Sequence, residues 1–380
     1  MIDIKDKKDC CGCSACAQIC PKQCIKMLSD DEGFAYPSVD KDACIGCGLC
    51  ERVCPIINSG DAKRPLKVYA SKNSDEEVRA DSSSGGVFSA IAGEVIRRGG
   101  VVFGVTFDDV WNTVHTYTED LAGLASFRGS KYLQSRMGQS YAQMKSFLQS
   151  GREVLFSGTP CQIAGLHGFL RKQYPNLLTV EILCHGVPSS KVWQRYLDDK
   201  KKEYRCDAIR RINFRDKKSG WAGYNVTIEF ANGMVYERNH KKDPYFRGFI
   251  RNLYLRPSCY ECKCKNGRSG SDIVIADYWN INNVLPEYND DKGVSLVLIN
   301  TEKGASVFGA LSESLDYVET GYEECIGTNK GFAEHLPVGD ARADFFRKLN
   351  GSASGSSFPV KSGLMERLTT KIAVWKNRNK

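Results

Sequence analysis

Cys10-Cys11-Gly12-Cys13-Ser14-Ala15-Cys16-Ala17-Gln18-Ile19-Cys20-Pro21 and Cys44-Ile45-Gly46-Cys47-Gly48-Leu49-Cys50-Glu51-Arg52-Val53-Cys54-Pro55 spell one pattern twice, Cys-x2-Cys-x2-Cys-x3-Cys-Pro. This is the spacing of a bacterial ferredoxin module that holds two 4Fe-4S clusters. Three thiolates within seven residues fold around three corners of one cube, and the fourth, followed by proline, turns away to the other. The expected ligand sets are therefore Cys10, Cys13 and Cys16 with Cys54, and Cys44, Cys47 and Cys50 with Cys20. A disulfide framework would not repeat a four-cysteine spacing, and zinc sites usually group their ligands two plus two. The residues describe an electron carrier.

The rest of the chain sets the destination of those electrons. Its 380 residues, 26% charged and 42% hydrophobic, suffice for two or three domains with real cores. The first ten residues lack the apolar stretch of a secretory signal, and no window reaches the roughly 18 apolar residues of a membrane span. Seventeen cysteines without an export signal are expected as thiolates for metals in a reducing cytoplasm. A net charge of +8, mixed from 53 basic and 45 acidic residues, fits anionic small molecules or acidic redox proteins. No basic stripe with interleaved aromatics argues for nucleic acid.

Residues 1–62 form the cluster module, with an internal repeat of 34 residues from Cys10 to Cys44, and Gly60 to Pro65 reads as a linker. Helix and strand patterns then alternate over 63–150 and 151–320. Val87, Ile91 and Val95 make a helical stripe that Gly99-Gly100 stops before the strand-like run from Val101 to Val105. Strands are expected over 153–157, 178–183, 272–276 and 294–300, helices over 162–172 and 189–202, and antiparallel strands from Arg210 to Asn239. The fold class is α/β or α+β with a mixed sheet, behind a ferredoxin-like α+β domain. In the tail, 321–380, Gly351 to Ser357 is a flexible joint before a basic stripe carrying Leu364, Leu368, Ile372 and Trp375. That stripe reads first as an amphipathic helix on its own core, and second as a membrane-surface or partner-docking element.

More cysteines sit where strands end: Cys161 after Gly158-Thr159-Pro160, Cys184 in Leu183-Cys184-His185-Gly186, and Cys259 with Cys262. Such loops converge on ligand sites, so these four thiols could hold a third cluster, with Cys264 a rival for Cys262. Buried free cysteine is the plainer reading. Cys11, Cys24, Cys206 and Cys325 fall outside every pattern and are read as ordinary residues.

Gly158-Thr159-Pro160-Cys161-Gln162, Leu183 through Ser189, the run Ser83-Ser84-Gly85-Gly86, Gly129-Ser130-Lys131-Tyr132, and Cys259-x2-Cys262 followed by Ser271-Asp272-Ile273 and Asp277-Tyr278-Trp279 occur in one order. From about residue 67 to 320 the chain resembles the coenzyme F-420 hydrogenase/dehydrogenase beta-subunit family, which includes 7-hydroxymethyl chlorophyll a reductase. The resemblance implies a flavoprotein with FAD beside a 4Fe-4S cluster on Cys161, Cys184, Cys259 and Cys262. It also implies exchange of electron pairs with a deazaflavin or other organic substrate, and of single electrons with ferredoxin or another redox protein. Where the family often reads Gly-Asp-x-Trp-Gly, this chain has Ala276-Asp277-Tyr278-Trp279-Asn280.

On this reading Ser83, Ser84, Gly85 and Gly86 let backbone amides at a helix N-terminus reach the FAD diphosphate, where an ordinary serine cap is the alternative. Lys131, Tyr132, Gly158, Thr159, Gln162 and Asp277 match the family's flavin positions. Lys131 is a candidate for holding a phosphate or reduced-ring charge, and His185 a candidate proton donor; a solvated lysine and a hydrogen-bonded spacer are the plain readings. Arg128, Lys131, Lys241 and Lys242 around one cleft would favour an enzyme over a non-catalytic electron-transfer subunit. A homo-oligomer is compatible with the sequence.

Overall fold

The computed structural model describes residues 1–339, 341–351, 358 and 360. The expected basic helix and residues 352–357 of the Gly/Ser joint lie outside the described residues. No described helix is long and apolar enough to cross a membrane.

β1 (Ile25–Ser29) and β2 (Ala35–Val39) pair as an antiparallel hairpin in the cysteine module. The strands that follow are β3 (Lys67–Asn73), β4 (Val101–Phe107), β5 (Thr113–Thr118), β6 (Val154–Gly158) and β7 (Leu177–Ile182). β8 (Ile209–Asp216), β9 (Asn225–Phe230) and β10 (Val235–Asn239) form a separate antiparallel meander, and β11 (Ile273–Asp277), β12 (Ser295–Ile299) and β13 (Leu315–Glu319) return to the main sheet. That sheet has eight strands in the order β13-β3-β12-β11-β7-β6-β4-β5. β4, β6, β7 and β11 run parallel at its centre, and the outer pairings are antiparallel. This is the expected mixed sheet.

Every residue of β6 and β12 is buried, which requires cover on both faces. Successive residues alternate between two cores, as a period of two demands. Val101, Phe103, Val154 and Phe156 pack with Ile163 and Leu166 of the Pro160–Leu170 helix. Val102 and Leu155 pack with Val87, Ile91 and Val95 of the Val87–Arg97 helix. A third, aromatic core joins the meander to the Ser190–Tyr204 helix through Trp193, Tyr196, Phe214, Tyr245 and Phe246. Ser189 caps that helix, its Oγ accepting from the Val192 amide at 3.2 Å.

Gly85, third in the Ser-Ser-Gly-Gly run, lies against the sheet. A Cβ there would lie 2.3 Å from the Ser71 carbonyl oxygen and 2.7 Å from the Ser295 amide nitrogen. Both obstacles are backbone of β3 and β12 and cannot swing away. Gly85→Ala is therefore expected to destabilise the chain by about 1–3 kcal/mol, measured by urea denaturation. An unchanged midpoint would mean that the strands yield.

The cysteine module does not hang from a free linker. Cys13, Ala15 and Val53 belong to the same core as Ile163 and Phe156. The helices meet because Gly165 leaves room: a Cβ there would stand 2.8 Å from Cys13 Sγ. Ser59 Oγ donates to the Lys263 carbonyl at 2.7 Å, and the Lys63 amide to the Asn266 carbonyl at 3.1 Å, so residues 59–63 lie along the body.

Candidate functional site

The cysteine module contains two small hollows. Cys10, Cys13, Cys16 and Cys54 border the first; Cys20, Cys44, Cys47 and Cys50 border the second. Backbone donors already point at the sulfurs, with the Ile2 amide 3.3 Å from Cys50 Sγ. Among the described residues no three His, Cys, Asp or Glu side chains gather on a point that would suit a single metal ion. A cube takes one thiolate per iron at separate corners, so spaced thiolates around a hollow fit clusters and not zinc. Cys47 is exposed, which puts the second hollow at the surface.

Two cysteines read as ordinary are not so placed. Cys24 lines the second hollow, its Sγ 3.4 Å from that of Cys20. Cys11 borders the first, and it stands close enough to Cys13 on one side and Cys161 on the other for these thiols to shift one another's titration. The sequence signal was present, since both lie inside or beside the motif. Among the described residues the Cys206 and Cys325 thiols donate to backbone carbonyls, of Ala208 and Tyr322.

Strand ends assemble the third group of thiols. Cys161 sits in the first turn of the helix after β6, held by a capping box of Thr159 and Gln162. Cys184 follows β7, and the 187–189 segment is zipped to 254–256 by Arg256 N to Val187 O and Ser189 N to Tyr254 O, both 3.0 Å. This brings Cys161, Cys184, Cys259 and Cys262 close enough for each to feel its neighbours' charge. Its hydrogen bond with Cys11, then burial, pushes the Cys161 thiol well up, and burial does the same to Cys184. The Cys262 thiol is drawn down to about 6, chiefly by the hydrogen bond from buried Cys264. Thiols so buried and crowded ionise together only beside a strong positive charge, which iron supplies. The Val187 amide donates to Cys259 Sγ at 3.4 Å.

The candidate flavin positions divide. Ser83, Tyr132 and Asp277 meet around Arg215, which sequence reasoning missed because nothing local marks it. Arg215 donates to both Asp277 oxygens at 2.9 and 2.8 Å, to Tyr132 Oη at 3.1 Å and to the Ser83 carbonyl at 3.1 Å. Its guanidinium lies 4.0 Å from the Tyr224 ring centre and 5.1 Å from that of Trp279. Lys131 turns inward onto the carbonyls of Phe127, Arg128 and Gly129; burial lowers its pKa to about 7, against the pull of those acceptors toward the charged form. Gly158, Thr159 and Gln162 sit instead with Cys161, and Gln162 Nε2 donates to Ser135 Oγ at 2.9 Å. His185 has its Nε2 2.8 Å from Asn252 Oδ1, and burial lowers its pKa. Phe249 packs between the His185 and Tyr132 rings.

The Ser83–Gly86 run meets a diphosphate requirement only in part. Gly86 caps the Val87–Arg97 helix, and its carbonyl accepts from the Ser89 amide at 3.2 Å, which leaves the Val87 and Phe88 amides as that turn's unpaired donors within the helix. Ser89 Oγ in that turn and Arg128 Nε are buried with no hydrogen-bond partner among the described residues. Gly85, however, faces the sheet, and Ser84 Oγ donates to the Val294 carbonyl at 2.8 Å. Arg128 reaches toward Asp81 at 3.9 Å, and Lys241 and Lys242 are exposed after β10.

Two family models match the body of the chain. Both describe the beta subunit of coenzyme F420 hydrogenase/dehydrogenase, the model of its N-terminal part over residues 68–140 and that of its C-terminal part over residues 151–323. The chain belongs to this beta-subunit family. A third model, the 4Fe-4S dicluster domain, matches residues 9–56, so this member of an oxidoreductase family has a 4Fe-4S cluster domain at residues 9–56. No curated protein matches it. Among solved structures, a chain of the F420-reducing NiFe hydrogenase complex from Methanosarcina barkeri is 16% identical, with 83% of this chain and 93% of that chain covered and a TM-score of 0.47. In the beta-subunit portion, Gly158 to Gln162, Cys184 and Asp277 all fall at the carboxyl ends of parallel strands, where open α/β sheets bind ligands.

Proposed function

We propose that the protein is an iron-sulfur flavoprotein oxidoreductase. It passes electrons between ferredoxin or a similar one-electron carrier and a two-electron organic substrate, a deazaflavin being one candidate. The observation that carries this reading is the continuous series of thiols from exposed Cys47 inward. Cys16 and Cys54 of the first hollow pack in one cluster with Cys20, Cys24, Cys44 and Cys50 of the second, Cys13, Cys11 and Cys161 stand in series between the first hollow and the third group, and Cys184 leads through His185 and Phe249 to Tyr132.

Bound clusters supply one-electron storage, and bound FAD the change between single electrons and pairs. The chain's own residues do the rest. Cys10, Cys13, Cys16 with Cys54, Cys44, Cys47, Cys50 with Cys20, and Cys161, Cys184, Cys259 with Cys262 hold the three clusters. Ser83, Gly86, Lys131, Tyr132 and Asp277 are our candidates for the flavin's surroundings, and His185 for the proton, its Nε2 hydrogen resting on Asn252.

Iron and flavin analysis of anaerobically reconstituted protein tests this. About twelve irons and one FAD per chain are expected, falling to about eight irons in the Cys161→Ala/Cys184→Ala variant. About eight irons in the parent chain would make the inner thiols structural. A second reading, a non-catalytic subunit wiring another enzyme to a carrier, gains from one observation: Ser83, Tyr132, Asp277 and Arg215 already satisfy one another. Substrate reduction by the isolated chain with reduced ferredoxin separates the two readings.

A further inference from the structure

Arg256 is among the most deeply buried side chains of the molecule, with 1% of its surface exposed. Among the described residues no carboxylate lies within ion-pair distance of it. Its Nε donates to the Cys10 carbonyl at 2.6 Å, Nη1 to Gln134 Oε1 at 3.0 Å, and Nη2 to the Ala35 carbonyl at 2.9 Å and to Cys10 Sγ at 3.4 Å. The ring centres of Tyr36 and Phe34 stand 4.4 and 5.6 Å from the guanidinium carbon. A permanent charge sealed in this way needs an anion, and neutral carbonyls do not provide one. The anions within reach are thiolates, Cys10 first.

We propose that Arg256 is the fixed counter-charge of the cluster held by Cys10, Cys13, Cys16 and Cys54. It raises that cluster's potential above that of the surface cluster, so that electrons run inward. This rests on the two-cluster reading of the amino-terminal module. A cluster ligated by thiolates gains negative charge on reduction, so a buried cation and a hydrogen bond to a ligand sulfur favour the reduced form. The cations at the second hollow are the Met1 ammonium, paired with Glu51 at 2.9 Å, Lys22, and Arg52, which donates to the Cys47 carbonyl at 3.0 Å; all three are exposed, so solvent screens their charge, whereas that of Arg256 is sealed in.

The test is a potentiometric titration of full-length, anaerobically reconstituted protein, followed by electron paramagnetic resonance, for the parent, Arg256→Met and Arg256→Lys. Iron content is measured in parallel and tells failure of the cluster reading apart from failure of this one. Arg256→Met is expected to shift the inner amino-terminal cluster to lower potential, leaving it largely oxidised at a poise that half-reduces it in the parent. Arg256→Lys stays near the parent, and the surface cluster moves in neither variant. If Arg256→Met sheds iron while Arg256→Lys keeps both iron and potential, the charge requirement stands. An unchanged potential in Arg256→Met, an equal drop in both variants, or loss of the cluster from both would overturn the proposal and leave a structural arginine.

Discussion

Asp277→Ala is expected to cost about 3–5 kcal/mol, the usual result of removing one member of a buried ion pair. Asp277 Oδ1 accepts from Arg215 Nη2 at 2.8 Å and from Trp221 Nε1 at 2.7 Å, and Oδ2 accepts from Arg215 Nη1 at 2.9 Å. The Arg215 side chain is 1% exposed, so alanine leaves a cation in the interior with the Tyr132 hydroxyl and the Ser83 carbonyl as its remaining partners. The indole N–H of Trp221 loses its acceptor as well. Removing both charges in Arg215→Leu/Asp277→Leu should recover part of the loss, because the larger cost lies in the orphaned charge and not in the missing attraction. Urea denaturation of the parent and the two variants measures this. A loss under about 1 kcal/mol for Asp277→Ala would show that water reaches the guanidinium.

The second large effect concerns the crossing of ligands between motifs. Cys20 belongs to the first motif by sequence, yet it borders the hollow of Cys44, Cys47 and Cys50. Cys24 stands 3.4 Å from it on the same wall and is poised to substitute. Cys20→Ala/Cys24→Ala is therefore expected to remove about four irons and the surface cluster's signal, while the cluster of Cys10, Cys13, Cys16 and Cys54 keeps its spectrum. Cys20→Ala alone should change the same signal without abolishing it. Loss confined to the other cluster would refute the assignment of Cys20 to that hollow.

What could be read from the residues followed from how local the cause was. The cysteine spacing is fixed by the size of a cube, and the apolar runs of β6, β7 and β12 are fixed by burial on both faces, so both were legible. β3 was not, because its sequence mixes Ser71 and Asn73 with Val68 and Ala70, and only the completed sheet buries the polar pair. Gly85 showed the limit of motif reasoning: a glycine before a helix admits a close neighbour, and here that neighbour is β3 and β12 and not a phosphate. Arg256 and Arg215 were invisible for a different reason. A lone arginine carries no mark of burial until segments distant in sequence close over it. The linker around Gly60 to Pro65 likewise read as free chain, since its contacts come from residues some two hundred positions away.

The shared core of Cys13, Ala15 and Val53 with Ile163 and Phe156 has a bearing on the protein's lifetime. In a tethered ferredoxin, oxygen damage to a cluster would silence one domain and leave the rest standing. Here the walls of the first hollow are also walls of the main body, so the free energy of holding iron is part of the free energy of folding. Oxidative loss of that cluster would loosen the whole chain and hand it to proteolysis, removing a miswired molecule instead of preserving it as a dead end.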